Sequence, residues 1–476
     1  MINKQDEIVL SYIKELGGDI RAQYTIDPEE FAHYTIKRGL RNSDGTGVFA
    51  GVTKIGSVQG YTVSDGEPVP IEGTLYYRGI DLIDIVRAHG TAGTFGYEEV
   101  AYLLLFGKLP TKRQLDHYNR MLSTARKLPE GFTEDTILSL PGADIMNKLA
   151  RCILTLYIFD SAADDISAEN VIRQSIELIG RVPVIIANSY AAKRHYFDRE
   201  SLFIHVPQEA LSLAENFLHM LRKDNHYTPA EARLLDFMLI LHAEHGGGNN
   251  SAFACRTLSS TGTDTYAALA AAIGSLKGPL HGGANMKVME MFTHIREQVS
   301  DTRDPDEVYA YLGKILDKKA FDRSGKIYGL GHAVYTKSDP RTVLLKGFVR
   351  HLVNEHAMPR AEGTSLQAGS ADKRALAALA EDFALMEIIE EQGIRALETR
   401  LKDHKVICAN VDMYSGLVYR MLGIPDELFT PIFAAARMAG WCAHRIEEIL
   451  SGDRIIRPAY RAVTQRTPYV SLEDRG

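Results

Sequence analysis

The 476-residue chain has only four cysteines, Cys152, Cys255, Cys408 and Cys442, and they stand far apart. No Cys-x-x-Cys pair or zinc-ribbon spacing occurs, which points to a reduced, intracellular and therefore cytoplasmic protein. There is no large basic block, and the net charge is −7, so neither nucleic acid nor an anionic membrane is expected as a partner. No uncharged apolar run approaches the ~18 residues that a membrane span needs. The nearest, Thr265 to Leu276, is rich in alanine and reads as a tightly packed core helix. The first residues, Met1-Ile2-Asn3-Lys4-Gln5-Asp6-Glu7, are acidic and lack the apolar stretch of a signal peptide. Internal repeats and long alternating strands are missing too.

What is there is globular material, with 45% hydrophobic and 24% charged residues in a chain long enough for more than one domain or lobe. Residues 1–40 read as charged helical pieces. Residues 41–80 differ: Gly45, Gly47, Gly51, Gly56, Gly60, Gly66 and Gly73 punctuate β-prone runs such as Tyr61-Thr62-Val63, which predicts small hairpins. From Tyr97 onward helical periodicity dominates almost to the end. Thr111 and Gln114 form a capping box before an apolar face at Leu115, Met121, Leu122 and Ala125. Helix stops recur at Gly423, with Pro425 beyond it, and at Gly452. The fold class is all-α with a minor β patch near the N-terminus. The stretch 357–371, with Pro359, Gly363 and Gly369, reads as a surface insertion.

Five polar clusters interrupt the helical pattern. In the first, Thr228, Pro229 and Glu231 start a helix with an apolar face at Leu234, Leu235, Met238 and Leu241. It should stop at Gly246-Gly247-Gly248, leaving His242 and His245 in its last turn. That spacing could make a metal pair, but no third ligand follows. His245 is either a cap or core polar group, or functional. In the second cluster, Gly282-Gly283 opens a helix over about 284–299, with His281 at its N-terminus. The positive end of a helix disfavours imidazolium, so a neutral hydrogen-bond donor is expected there. The third cluster is Gly329-Leu330-Gly331-His332-Ala333-Val334-Tyr335; its glycines let backbone approach a ligand, but a third glycine for a dinucleotide fingerprint is lacking. Ser338 and Pro340 then mark a helix start with Arg341 in its first turn. A cation there opposes the helix dipole, which suggests either a carboxylate clamp or a plain surface residue. The fourth, Asn410-Val411-Asp412-Met413-Tyr414-Ser415-Gly416, offers Asp412 as an N-cap or as a general base whose pKa burial would raise. In the fifth, Arg437 stands among small and apolar residues near Trp441 and His444, and needs an anion, from a structural glutamate or from a ligand.

Taken in order, His-Ala-Glu-His-Gly-Gly-Gly-Asn-Asn-Ser (242–251), Gly-Pro-Leu-His-Gly-Gly-Ala-Asn (278–285), Gly-Leu-Gly-His-Ala-Val-Tyr (329–335), Asp-Pro-Arg (339–341), Asn-Val-Asp-Met-Tyr-Ser-Gly (410–416) and Ile-Arg-Pro (456–458) resemble the citrate synthase family. Tyr77-Arg78-Gly79-Ile80 and the run 98–104 match as well, so the resemblance covers roughly residues 73–458. It implies a mostly helical two-domain fold: a large domain of residues 1–280 and 419–476 and a small one of 281–418, with the active site between them. It implies a homodimer, with hexamers also known among such proteins, and the substrates oxaloacetate and acetyl-CoA, with no tightly bound cofactor. Motif by motif, His281 would polarise the thioester carbonyl, Asp412 would remove the methyl proton, and His332 would protonate the ketone oxygen. His245 would bind oxaloacetate, with Asn249 and Ser251 in the same pocket wall. Arg341, Arg437 and Arg457 would hold its carboxylates, Arg457 reaching in from the partner subunit. Gly329 and Gly331 would border the coenzyme. Some family members carry an arginine for a CoA phosphate just after Gly-His-Ala-Val; here Thr336 stands there, with Lys337 next as a substitute point charge. The alternatives are 2-methylcitrate synthase, which uses propionyl-CoA with the same residues, and a non-catalytic CoA-binding protein.

Overall fold

The computed structural model describes residues 24–42, 45–64, 67–357, 370–400, 406–464 and 466–475, with isolated positions between 10 and 17; residues 67–68, 354–357 and 370–376 are described by backbone alone. The expected insertion falls largely outside the described residues, as does much of the N-terminal segment. Residues 1–50 with 457–476 form one compact unit, and residues 51–456 form the other. The first holds a short helix, α1 (Pro28–His33), whose first turn is capped by Asp27, and a bridge between Arg41 and Gly47.

The second unit begins with the β patch. β1 (Gly56–Ser64) and β2 (Glu67–Tyr77) make an antiparallel hairpin, and β3 (Ile80–Asp81) folds back on β2. Their register slips between Gln59, which faces Thr74, and Tyr61, which faces Pro70.

Helices follow: α2 (Leu82–Ala92), α3 (Tyr97–Phe106), α4 (Lys112–Ala125), α5 (Ile145–Leu156), α6 (Ala168–Tyr196), α7 (Leu213–Leu221), α8 (Pro229–His242), α9 (Asn250–Ser259) and α10 (Thr265–Lys277). Then come α11 (Ala284–Gln298), α12 (Pro305–Leu316), α13 (Pro340–Ala357), α14 (Ser370–Arg400), α15 (Asp412–Met421) and α16 (Phe429–Ser451). The capping boxes at Thr111–Gln114 and Thr228–Glu231 are both formed. On α4 the buried stripe runs through Tyr118 and Leu122, and Met121, expected on the apolar face, is 39% exposed because it falls one position outside that stripe.

α16 is buried along most of its length, polar Arg437, His444 and Arg445 included, with α3, α6, α8, α9 and α10 packed around it. α10 is the expected core helix: Tyr266, Ala268, Leu269, Ala272, Ile273 and Leu276 are all buried. α11 to α15 pack chiefly on one another. All four cysteines are buried and unpaired. Among the described residues no helix is long and apolar enough to cross a membrane.

Candidate active site

α8 ends at His242, three residues earlier than the glycine run suggested, so His245 lies beyond the helix and not in its last turn. The cause is Glu244. Its carboxylate accepts a hydrogen bond from His444 Nε2 on α16 at 2.8 Å, with both side chains fully buried, and its N–H donates to the Tyr77 hydroxyl at 3.4 Å. Arg256 donates to His444 Nδ1 at 2.9 Å, so the proton of that imidazole sits on Nε2, facing Glu244. These partners pull the chain out of the helix. The approach needs Gly440 on α16, since a Cβ there would fall on Glu244 Oε2 and the Ala243 carbonyl.

His245 is thereby turned toward the His332 loop. Its ring meets His332 edge-on at 5.1 Å and Tyr335 at 5.5 Å, and Tyr335 stacks on His332 at 4.5 Å. Burial, then Arg341, His332, Arg437 and His281, hold the His245 pKa far below the ordinary histidine value, which keeps it neutral. His242 is also buried and neutral, its ring 4.4 Å from Phe433.

Asn249 caps α9, its Oδ1 accepting from the Ser251 N–H at 3.2 Å and from the Ser251 hydroxyl at 2.7 Å. Trp441 Nε1 donates to Ser251 Oγ at 3.1 Å, and His281 Nε2 lies 3.3 Å from the same oxygen. The Ser251 hydroxyl has one hydrogen to give: turned to Asn249 Oδ1 it leaves His281 Nε2 as the donor, and turned to His281 Nε2 it leaves the ring's proton on Nδ1, facing a ligand. Burial first, then Arg437, lowers the His281 pKa to about 4. Neutrality was expected from the helix terminus; α11 does begin at Ala284, and desolvation and the arginine act in the same direction.

The segments carrying His332 and Asp412 are laced together. Gly331 N–H donates to the Cys408 carbonyl at 2.8 Å, Asn410 N–H to the Gly329 carbonyl at 2.9 Å, and Asn410 Nδ2 to the Gly331 carbonyl at 2.9 Å. Two backbone N–H groups, of Val334 and Tyr335, donate to His332 Nδ1 at 3.0 Å each, which places the proton of the neutral ring on Nε2. Asp412 is the first residue of α15 but does not cap it. Its carboxylate makes no hydrogen bond or ion pair among the described residues. Burial raises its pKa to about 6, with Arg341 lowering it, Asp339 raising it and Arg437 lowering it. Asn285 Nδ2 donates to Ser415 Oγ at 2.6 Å, which ties the helix after His281 to the helix of Asp412.

Arg341 does sit in the first turn of α13, but the cap is Asp339 and not Ser338: Asp339 Oδ1 accepts from the Arg341 N–H at 3.0 Å. The same carboxylate pairs bidentately with the Arg341 guanidinium, at 3.0 and 2.7 Å. Burial works against that charge, and Asp339 more than offsets it. Arg437 is fully buried and differently placed. Its Nε donates to the His242 carbonyl at 2.6 Å, while Nη1 and Nη2 find no partner among the described residues. Burial lowers its pKa to about 10 and Glu244 opposes that, so it stays cationic at neutral pH. A buried guanidinium with two nitrogens unpartnered among the described residues calls for an anion.

Gly329 and Gly331 both take positive φ, 85° and 87°, and Lys337 is exposed. Arg457 belongs to the unit of residues 1–50 and 457–476 and is exposed there. The sequence did not single out Glu244 or Asp339. An acid between two histidines at a helix end, and an Asp-Pro-Arg triplet whose aspartate precedes a proline at the first helical position, were the available signals.

A family model described as "Citrate synthase, C-terminal domain" matches residues 44–459. The chain is 36% identical over 406 residues to the citrate synthase of Deinococcus radiodurans, covering 85% of this chain and 93% of that protein. It is 31% identical over 389 residues to the 2-methylcitrate synthase of Shewanella oneidensis, covering 81% and 87%. Its fold matches that of the citrate synthase of Thermoplasma acidophilum, solved as a ternary complex with carboxymethyl coenzyme A and oxaloacetate, with a TM-score of 0.72 and 26% identity over 92% of this chain and 99% of that one.

Proposed function

The chain belongs to the citrate synthase family, and from that premise we propose that it condenses acetyl-CoA with oxaloacetate and hydrolyses the resulting citryl-CoA to citrate and CoA. The observation that carries this is Arg437. Its buried guanidinium has two nitrogens to offer and a nearby carboxylate, Glu244, that sustains its charge without occupying it. The site's other cation, Arg341, is already matched by Asp339. A small dianion such as oxaloacetate supplies what Arg437 lacks.

The steps follow from the protonation states. Asp412, ionised above about pH 6, removes a methyl proton from the acetyl thioester. His281, neutral, donates a hydrogen bond from Nδ1 to the thioester carbonyl once the Ser251 hydroxyl turns its hydrogen from Asn249 to His281 Nε2, and so stabilises the enol or enolate that forms. The nucleophilic carbon attacks the ketone carbon of oxaloacetate, and His332 Nε2–H protonates the ketone oxygen as it becomes a hydroxyl. Water then cleaves citryl-CoA and releases the thiol of CoA. His245, Asn249 and Ser251 line the oxaloacetate side. Gly329, Gly331 and the exposed Lys337 border the coenzyme, which enters as a substrate; no tightly bound cofactor is required.

We extend the proposal to organisation. The mutual packing of α11 to α15 supports a small domain of residues 281–418 against a large one of 1–280 with 419–476. The active unit is a homodimer in which Arg457 of the partner subunit contacts oxaloacetate. The unpaired, buried cysteines support a reducing compartment, the cytoplasm.

The test is thiol release from acetyl-CoA with oxaloacetate, beside propionyl-CoA, for the wild type and Asp412→Asn. At least ~tenfold preference for acetyl-CoA, lost in the variant, is the expected result. Preference for propionyl-CoA would move the assignment to 2-methylcitrate synthase with the same residues, and release from neither would sink the enzymatic reading.

A further inference from the structure

The loop after His332 is sewn to the β1–β2 hairpin at the point where the hairpin's ladder breaks. Because Gln59 faces Thr74 and Tyr61 faces Pro70, Gly60 alone stands opposite Ile71, Glu72 and Gly73. A bulge of this kind leaves backbone groups in need of other partners. The loop provides them. Thr336 Oγ1 donates to the Gly60 carbonyl and lies 3.4 Å from the Ile71 carbonyl. Ser338 Oγ accepts from the Gly73 N–H at 3.1 Å and donates to the Glu72 carboxylate.

Backbone meets backbone here, and only glycine allows it. A Cβ on Gly60 would fall on the Val334 carbonyl and Tyr335 Cα, and one on Gly73 on the Ser338 carbonyl and the Tyr335 ring. Val334 and Tyr335 are the residues whose N–H groups hold His332 Nδ1, and the Tyr335 ring is the one stacked on His332. Hairpin, loop and imidazole thus form one contiguous chain of contacts. Where the family resemblance places an arginine for a CoA phosphate, this chain has a half-buried threonine turned into the hairpin.

We propose that Thr336 is a positioning residue for His332: its hydroxyl fastens loop 333–338 to the β1–β2 hairpin at its register slip, and so orients the imidazole toward the oxaloacetate ketone. The proposal rests on His332 being the acid of the reaction. Thr336→Val keeps the shape and removes the hydroxyl, and Thr336→Ser restores it. Turnover, KM for each substrate and Tm would be measured for both, with His332→Gln alongside, and acetyl-CoA compared with 3′-dephospho-acetyl-CoA. Thr336→Val is expected to lower kcat ~10-fold or more, with the KM for acetyl-CoA within about two-fold of wild type and Thr336→Ser recovering most of the rate. The two variants should share one Tm.

A wild-type kcat in Thr336→Val overturns the proposal. So does a defect confined to the KM for acetyl-CoA that vanishes with the dephospho substrate, which would make Thr336 a phosphate contact. A lowered Tm with no rescue by serine makes the residue structural only and overturns it too. If His332→Gln turns over normally, the reading of the site fails first; if it is inactive while Thr336→Val is unaffected, the anchor alone fails.

Discussion

Asp412 meets opposed demands from folding and from chemistry. Burial raises its pKa from 3.8 to about 6, yet a base must be ionised to act. Turnover should therefore rise through about pH 6 and level off above it. His281, with its pKa lowered to about 4, stays neutral throughout that range. The check is kcat/KM from about pH 5 to about pH 8 at constant ionic strength, and an acid limb centred well below 5 would contradict the assignment. The stability sign follows from the same shift. A carboxyl whose folded pKa lies above its unfolded value favours the native state fully below the unfolded value and loses that contribution as pH rises through about 6. Asp412→Asn should thus raise Tm at pH 7, with the gain shrinking as pH falls. At this scale residue types were legible, and so was the direction of two shifts, a neutral His281 and a raised Asp412; the partners of the arginines were not. Arg341 looked like a cation awaiting a ligand because its dipole placement is unfavourable, yet Asp339, two residues away, already pairs with it. For Arg437 the need for an anion was legible, but that no carboxylate among the described residues bonds it was decided by the packing of α16.

The loop from Ala243 to Asn249 shows how an element is set by contacts distant in sequence. Its course depends on Glu244 reaching His444, 200 residues on, and on the missing side chain at Gly440. Gly440→Ala should therefore displace Glu244 and the Ala243 carbonyl, lowering stability by ~1–3 kcal/mol, as overpacking does. Because His245 rides on that loop and the His242 carbonyl adjoins it, the KM for oxaloacetate should rise more than that for acetyl-CoA. Denaturant unfolding and steady-state kinetics would check both, and an unchanged midpoint would mean that the loop yields without loss. Helix starts at Thr111 and Thr228 were readable because a capping box is complete within four residues. The end of α8 was not, because a glycine run marks where a helix must stop, while Glu244 stops it sooner.

For the whole molecule, the proposed homodimer makes a prediction that no single subunit can satisfy. Arg457→Ala and Asp412→Asn should each be nearly inactive alone. Mixed dimers would contain one site with an intact Asp412 and an intact Arg457 of the partner subunit, and one site lacking both. Co-expressed subunits should regain activity, toward ~half the wild-type rate per mixed dimer, if the interface is a two-fold one. Activity that stays absent on mixing would confine Arg457 to its own subunit. Oligomeric state itself is checked by sedimentation of the wild type.

The sequence by itself determined the all-α class, the helix starts, the β patch and the order of the polar clusters. Each of these is written in residues within one or two turns of one another: caps, apolar periodicity, glycine and proline. Tertiary structure alone decided which nitrogen of His332 holds the proton, that Asp412 is raised to about 6 and His281 lowered to about 4, and that Thr336 donates to the Gly60 carbonyl where the β1–β2 register slips. These depend on desolvation and on partners brought together from segments hundreds of residues apart, and a side chain's surroundings exist only once the chain has folded.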